Sequence, residues 1–276
     1  MRILVTGANG YLGSQLISHL SKTHTMQGLV RKNNSSRRFI ETIDENWIFS
    51  LTEFSPEVII NTVACYGRNN EPFSEMLDSN VIFPIKVLES LSSEGVLFIN
   101  CGTSLPSNVS PYAFTKNKLS EIAHFLIEGS FNRYLELKLE HFFGALDSDN
   151  KFTSMIIRKC MKDETIKITS GLQKRDFIYI TDLLFAFDCI LDNAEAFHKY
   201  DSIEIGSGEA ITIREYVETV HAISNSKSQL EFGAIPQRLN ELMFSCANVT
   251  ALKNLGWRRK YSYADAISEI VEKERV

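Results

Sequence analysis

The stretch RILVTGANGYLGSQL, Arg2–Leu16, decides the fold. Its opening letters, RILVT, are short, apolar and bounded by glycine, which reads as a buried strand. The letters that follow place Leu12, Leu16, Ile17 and Leu20 at helical spacing. Between the two patterns Gly7, Gly10 and Gly13 stand three apart. A strand ending at Thr6 must turn at once into a helix. Gly7 supplies the unusual φ of that turn, Gly10 leaves the backbone open to a diphosphate, and Gly13 lets the helix pack closely. The unpaired N–H groups of the helix start then face the phosphates. A glycine pattern alone is weak, but its place in the first βα turn of a βαβ unit is the confirming context. Gly7, Asn9, Gly10, Tyr11, Leu12 and Gly13 are therefore the expected dinucleotide contacts.

Outward from this turn, strand-like and helix-like segments alternate. MQGLVR, PEVIINTVA, GVLFINCGT and RYLELKLEHFFG read as strands, and SNVIFPIKVLESLSS and SPYAFTKNKLSEIAHFLIEG as helices. Strict alternation implies a parallel sheet with helices on both faces, its ligand edge at the strand C-termini. The texture changes after Gly144. The expected fold class is α/β, a Rossmann-type doubly wound parallel sheet with a smaller C-terminal substrate-binding lobe. The expected boundaries are 1–145 for the dinucleotide domain, with a return segment at about 177–205, and 146–276 for the smaller lobe.

Composition narrows the class. The 276 residues are 44% hydrophobic and 23% charged, an ordinary globular balance. A net charge of −5 argues against a nucleic-acid binder. Five scattered cysteines with no CxxC pair fit a reduced, cytoplasmic chain rather than a disulfide or zinc scaffold. No HxH or HExxH pattern suggests a metal, and no run approaches the ~20 apolar residues of a membrane span.

The end of the second strand reads the adenosine ribose. A carboxylate there favours NAD, whereas an arginine accommodates the 2′-phosphate of NADP. Here the chain continues GLVRKNNSSRR, with Arg31 at the reading position, Lys32, Arg37 and Arg38 behind it, and no carboxylate before Glu41. A guanidinium matches phosphate bidentately, so NADP(H) is preferred and NAD is the lesser expectation. Ala64, in the loop TVACYGR after the next strand, should lie against the dinucleotide. Tyr66 and Arg68 of that loop reach toward a substrate or cap the strand end.

YAFTK places Tyr112 and Lys116 four apart, on one face of a helix. A phenol beside an ammonium is expected to have a lowered pKa and to serve as general acid or base on a carbonyl or alcohol. A second match, YLELK with Tyr134 and Lys138, lies on a strand, where four residues span ~13 Å, and is rejected.

With VTGANGYLG, YAFTK, QKRDFIYITD, IEIGSGEAITIREY and LGWRRKYSYADAISEI in this order, the chain resembles the extended short-chain dehydrogenase/reductases of the nucleotide-sugar epimerase/dehydratase type over essentially its whole length. FINCGTSLP, LKLEHFFGALDSDNKF and PQRLNELMFSCANV look most like bacterial reductases of CDP- or dTDP-4-keto-6-deoxy sugars, as in the synthases of CDP-abequose and CDP-paratose. The resemblance implies that Tyr112 protonates a sugar carbonyl while Lys116 holds the nicotinamide ribose. It also implies a Ser or Thr on the loop after the strand ending near Asn100. This chain departs from that pattern, because Cys101 stands at the usual position and a thiol is a poor donor. Thr103 is the preferred substitute, with Cys101 its rival and Ser104 nearby.

The resemblance further implies a nucleoside-diphosphate sugar substrate, held by Arg175 and Arg238 at its phosphates. Asp176 offers Arg175 a structural partner instead. His141 stands where many relatives carry an asparagine that touches the diphosphate. Asn80, at a helix start, reads as an N-cap. The leading function is an NADPH-dependent reductase of a nucleotide-activated 4-keto-6-deoxy sugar. CGTSLP lacks the acidic pair of the family's dehydratases, so dehydration is disfavoured. An NAD-dependent nucleotide-sugar epimerase is the alternative, and a non-catalytic NADP-binding regulatory protein a further one. By analogy a homodimer forms through the helix from Asn80 and the helix carrying Tyr112.

Overall fold

The computed structural model describes residues 1–32, 39–91, 95–130, 132–238 and 240–275. The chain divides into two compact units, Met1–Lys138 with Ile190–Ile203, and Leu139–Cys189 with Glu204–Val276.

The first unit contains β1 (Arg2–Thr6), α1 (Tyr11–Leu20), β2 (Thr25–Val30), β3 (Ile40–Glu41), α2 (Trp47–Phe54) and β4 (Val58–Asn61). It continues through α3 (Phe73–Leu77), α4 (Phe83–Glu89), β5 (Leu97–Cys101), α5 (Pro111–Glu128) and β6 (Arg133–Leu139). The second contains β7 (His141–Phe143), α6 (Phe152–Met161), β8 (Ile166–Ile168) and β9 (Lys174–Tyr179). After α7 (Ile180–Asp192) and β10 (Tyr200–Ile205), which span the division, it continues through β11 (Ala210–Thr212), α8 (Ile213–Ser224), β12 (Leu230–Phe232), α9 (Thr250–Asn254) and α10 (Tyr263–Glu274).

The α/β reading holds. Seven strands form one sheet in the order β10-β6-β5-β4-β1-β2-β3. The pairs β1–β2, β1–β4, β2–β3, β4–β5 and β5–β6 are parallel. Every residue of β4 and β5 is buried, as strands covered on both faces require. Helix α1 turns Leu12, Leu16, Ile17 and Leu20 inward, each contributing ~1.5–3 kcal/mol of apolar burial. Beneath the sheet a core of Leu4, Leu29, Ile59, Val87, Phe98 and Tyr134 closes. The rings of Phe98, Tyr134 and Tyr200 stack across β5, β6 and β10 at 5.7 and 5.4 Å.

Three details differ from the sequence reading. RYLELKLEHFFG is two strands, because the chain leaves the large sheet at Glu140 and β7 pairs with β9 in a three-stranded sheet. Within 177–205, β10 joins the large sheet, whereas β9, whose second half opens this segment, pairs with β7 and β11 instead. The helix read from Ser79 begins at Phe73 and passes through a π-helical turn, Asp78–Ile82, between α3 and α4.

In the second unit Trp257 is fully buried and donates through Nε1 to the Asp182 carbonyl at 2.9 Å. The Asp182 carboxylate accepts from the Lys260 and Tyr261 N–H groups. The Asp176 carboxylate accepts from the N–H groups of Ser207, Gly208 and Ala247 and from the Ser207 hydroxyl.

Candidate active site

The turn after β1 has the geometry its glycines require. Gly7 has φ +70°, a left-handed value that L side chains rarely adopt. A Cβ on Gly13 would collide with the Gly7 carbonyl oxygen and meet Ala8 Cα at 3.0 Å. The close approach that Gly13 permits is thus to the turn itself. A Cβ on Gly10 would meet only the Gly7 carbonyl oxygen, at 3.1 Å. Helix α1 has no side-chain cap and no acidic residue in its first turn, so its N-terminal N–H groups and positive dipole end suit an anion. These features fit a dinucleotide diphosphate. Leu12 is buried and faces inward with α1, and Tyr11 is half-buried. Asn9 Nδ2 donates to the Lys32 carbonyl at 3.0 Å, tying the glycine turn to the end of β2. Arg31 and Lys32 are exposed there, whereas Arg37 and Arg38 lie outside the described residues.

Helix α5 starts at a defined point. Pro111 occupies its first turn and the Ser110 hydroxyl accepts from the Ala113 N–H at 3.1 Å. This start sets Tyr112 and Lys116 on neighbouring turns. Lys116 is 1% exposed and its Nζ donates to the Val63 carbonyl at 3.2 Å. Val63 and half-buried Ala64 belong to the loop after β4. The Tyr112 ring stacks on Tyr66 at 4.7 Å, and the Arg68 guanidinium lies 4.8 Å over the Tyr66 ring.

The charge state of Tyr112 differs from expectation. Burial and the neighbouring Tyr66 phenol push its pKa well above the ordinary value, while Arg68 and a hydrogen bond with Thr103 act the other way. The phenol therefore keeps its proton. Lys116 is itself pulled down by burial, with the charges of Glu136 and Cys101 opposing that fall.

The loop after β5 separates its two candidates. Cys101 is buried, and loss of solvent pushes its thiol up to about 12. Thr103 is 6% exposed and accepts from the Leu105 N–H, and its hydroxyl acts to lower the pKa of the Tyr112 phenol. Ser104 Oγ, shielded from solvent, has no hydrogen-bond partner among the described residues. From Gly102 to Ser110 the loop carries no carboxylate. Tyr134 is buried with its hydroxyl on Glu136, and Lys138 is exposed.

Three features escaped the sequence reading. Asn80 is no N-cap. It lies in the π-helical turn, fully buried, where it accepts from the Cys65 N–H at 2.7 Å and donates to the Cys65 carbonyl and to Thr115 Oγ1, each at 2.9 Å. Gly28 of β2 leaves room for Phe39 and Ala8. Glu136 is a buried carboxylate on β6. The register of the sheet would have exposed Glu136, since one residue from each of four neighbouring strands meets in a row.

In the second unit, Arg175 is 6% exposed and pairs with Glu241 at 2.6 Å rather than with Asp176. Its other amino group donates to the Lys174 carbonyl at 2.8 Å. Arg238 is exposed. His141 Nδ1 lies 3.6 Å from the Glu140 carboxylate, and its ring meets the edge of Phe177. Glu140 accepts from Ser245 at 2.6 Å through its other oxygen.

Known proteins resemble this chain over nearly its whole length. CDP-abequose synthase of Salmonella typhimurium is 28% identical, over 98% of this chain and 97% of its own. The dTDP-4-dehydro-6-deoxyglucose reductase of Escherichia coli is 27% identical, over 99% and 97%. Among solved structures, the UDP-glucose 4-epimerase of Thermus thermophilus in complex with NAD superposes with a TM-score of 0.85 at 19% identity, over 100% of this chain and 99% of its own. The UDP-glucose 4-epimerase of Thermotoga maritima, solved with UDP-glucose, gives the same TM-score at 20% identity and the same coverage. The model of the NAD dependent epimerase/dehydratase family matches residues 3–206, and with a glycine cradle at β1 and a buried lysine one turn beyond a tyrosine on α5, the chain belongs to that family.

Proposed function

We propose that the protein is an NADPH-dependent reductase of a nucleotide-activated 4-keto-6-deoxy sugar. The observation that carries this reading is the Tyr112 phenol at the start of α5, stacked on Tyr66 and kept protonated by the loss of solvent, after a loop that offers Thr103 and no carboxylate. When bound in the glycine cradle, the reduced dinucleotide supplies a hydride to the carbonyl carbon. Tyr112 gives its proton to the carbonyl oxygen as charge develops there. Thr103 orients that oxygen, with Ser104 available as a second donor. Lys116, anchored on Val63, holds the nicotinamide ribose and supplies positive charge behind the phenol. Tyr112 then regains a proton from solvent.

Arg175, Arg238 and His141 are assigned to the sugar nucleotide, with Glu241 as the partner that Arg175 keeps when no diphosphate competes. The relatives named for CDP and dTDP sugars support the substrate class. Exposed Ile82, Phe114 and Phe125 on the π-turn and α5 support a homodimer, which light scattering tests.

A second reading, an epimerase that retains NAD, is favoured by the NAD-bound epimerase among the structural neighbours. One experiment separates them: NADPH and NADH consumption against a panel of CDP-, dTDP- and GDP-4-keto-6-deoxy sugars. The reductase consumes NADPH stoichiometrically, whereas the epimerase consumes neither and copurifies with NAD. In the active pair, Tyr112→Phe lowers kcat at least a hundredfold (about 2.7 kcal/mol). Turnover by that variant at the wild-type rate would remove Tyr112 from the mechanism.

A further inference from the structure

One row of the large sheet is polar where its neighbours are apolar. Thr6, Asn61, Asn100 and Glu136 are register partners across β1, β4, β5 and β6. All four are at most 4% exposed. Thr6 Oγ1 donates to Asn61 Oδ1 at 2.6 Å, Asn61 Nδ2 to Asn100 Oδ1 at 2.8 Å, and Asn100 Nδ2 to Glu136 Oε2 at 2.9 Å. The Tyr134 hydroxyl adds a second donor to Oε2, at 2.7 Å. The row runs beneath the loops after β1, β4 and β5. Thr6 precedes Gly7. Asn61 Oδ1 also accepts from the N–H of Val63, whose carbonyl carries Lys116. Glu136 Oε1 packs against Gly102, where a Cβ would collide with it, and Gly102 leads directly into Thr103.

A carboxylate at the end of such a row needs a reason, because an unpaired buried charge is costly. Glu136 has two donors on one oxygen, and Lys116 supplies charge compensation. We infer that Glu136 is a positioning residue of this site, its carboxylate serving both as the counter-charge of Lys116 and as the floor on which the Gly102–Thr103 turn rests. The inference rests on the reading of Tyr112 and Lys116 as the reacting pair. It assigns Glu136 no contact with substrate or dinucleotide.

The direction of the effect follows from the groups around the pair. Burial lowers Lys116, and the charge of Glu136 on β6 is the main influence opposing that fall. Burial raises Glu136, while the hydrogen bonds of Asn100 and Tyr134 and the charges of Lys116 and Lys138 hold it down. Tyr200 on β10 also senses the Glu136 charge. Removing that charge lets burial act on Lys116 with less opposition, so Lys116 loses its proton at lower pH. A lysine that is neutral at working pH no longer supplies positive charge behind Tyr112.

The test is a titration of the whole chain labelled with ¹³C-lysine, the Lys116 Cε resonance being assigned by Lys116→Arg. In Glu136→Gln, which keeps the side-chain volume, the Lys116 midpoint is expected to fall by about one pH unit, a tenfold change in its proton affinity. In Glu136→Asp, which keeps the charge, it stays nearer the wild type. The reciprocal measurement leaves the buried row intact: with ¹³C-glutamate, Lys116→Met raises the Glu136 midpoint. In turnover, Glu136→Gln lowers kcat about tenfold, leaves KM for the dinucleotide within twofold, and moves the alkaline limb of kcat to lower pH. A residue that merely supported the fold would lower Tm and leave that limb in place. An unmoved Lys116 midpoint in Glu136→Gln overturns the proposal, and if that variant fails to fold, an unmoved Glu136 midpoint in Lys116→Met overturns it equally. The titrations use no substrate, so they stand apart from the keto-sugar reading, which fails separately if the wild type consumes no dinucleotide with any sugar of the panel.

Discussion

Cys101 and Thr103 lie two residues apart, yet their surroundings differ in a way that supports Thr103 as the proposed donor. The Cys101 thiol is held in a dry environment between Lys116 and Glu136 and keeps its proton up to about 12. It packs as a small apolar residue with weak donor power. In the proposed mechanism Thr103 and the Tyr112 phenol are the two donors to the carbonyl oxygen, and the Thr103 hydroxyl acts to lower the Tyr112 pKa. Replacing Thr103 by valine keeps its shape and removes the donor. The expected loss in kcat is about a hundredfold, in the range of a single oxyanion donor. Cys101→Ala is expected to keep kcat within about twofold and to cost about 1 kcal/mol of stability through the small void. Steady-state kinetics on both variants checks this, and a reversed ranking would transfer the role to the thiol. The sequence left this choice open because residue type alone sets the chemistry of each group, while the turn at Gly102 sets where each one points.

At the scale of elements, the π-helical turn Asp78–Ile82 is an active-site support built into a helix. The extra residue in that turn directs Asn80 at the backbone of Cys65, so the loop that carries Val63 and Tyr66 is pinned to the α3–α4 helix and, through Thr115, to α5. Asn80→Ala leaves the half-buried N–H and carbonyl of Cys65 without their partners, at about 1–3 kcal/mol each. Urea unfolding is expected to show a loss of about 3 kcal/mol. Asn80→Asp, which still accepts from the Cys65 N–H, is expected to lose less. Equal stability of wild type and Asn80→Ala would show that the loop is held by other contacts. The strand–turn–helix elements around the site were readable from periodicity and glycine placement, because β1, α1 and α5 obey local rules of pattern and capping. A π-turn obeys no such rule. Its polar residue sits among apolar ones at ordinary helical spacing, so Asn80 reads as a cap until its distant partners are seen. Glu136 was hidden for a similar reason. Inside RYLELKLEHFFG its alternation with Leu135 and Leu137 looks like a solvent-facing position, but β6 is buried on both faces there, and its register with β5 sets Glu136 beside Asn100.

For the whole molecule, sequence pattern sufficed for the parallel sheet and the order of its motifs, whereas the departure of the chain at Glu140 did not show, because HFF continues the apolar alternation. What links all scales is the dinucleotide. It binds the folded chain and leaves the unfolded one, so it stabilises the protein by mass action. Arg31 and Lys32 are exposed at the end of β2, where the proposed reading puts the adenosine ribose, and Asn9 holds the glycine turn to that same end. A 2′-phosphate placed there meets positive charge, whereas a bare 2′-hydroxyl finds no carboxylate on Arg31 or Lys32 to accept its hydrogen bond. At a hundredfold excess over its Kd, NADPH is expected to add about 2.7 kcal/mol, which raises Tm by about 6 °C for a chain of this size. NADH at the same concentration is expected to raise it by less. Arg31→Ala removes the guanidinium from an exposed position without touching the core, so it should reduce the NADPH response to that of NADH and leave the Tm of the free protein unchanged. Thermal unfolding with each dinucleotide, on wild type and variant, measures both effects. A larger response to NADH in the wild type would reverse the cofactor preference and move the balance to the epimerase that keeps its NAD.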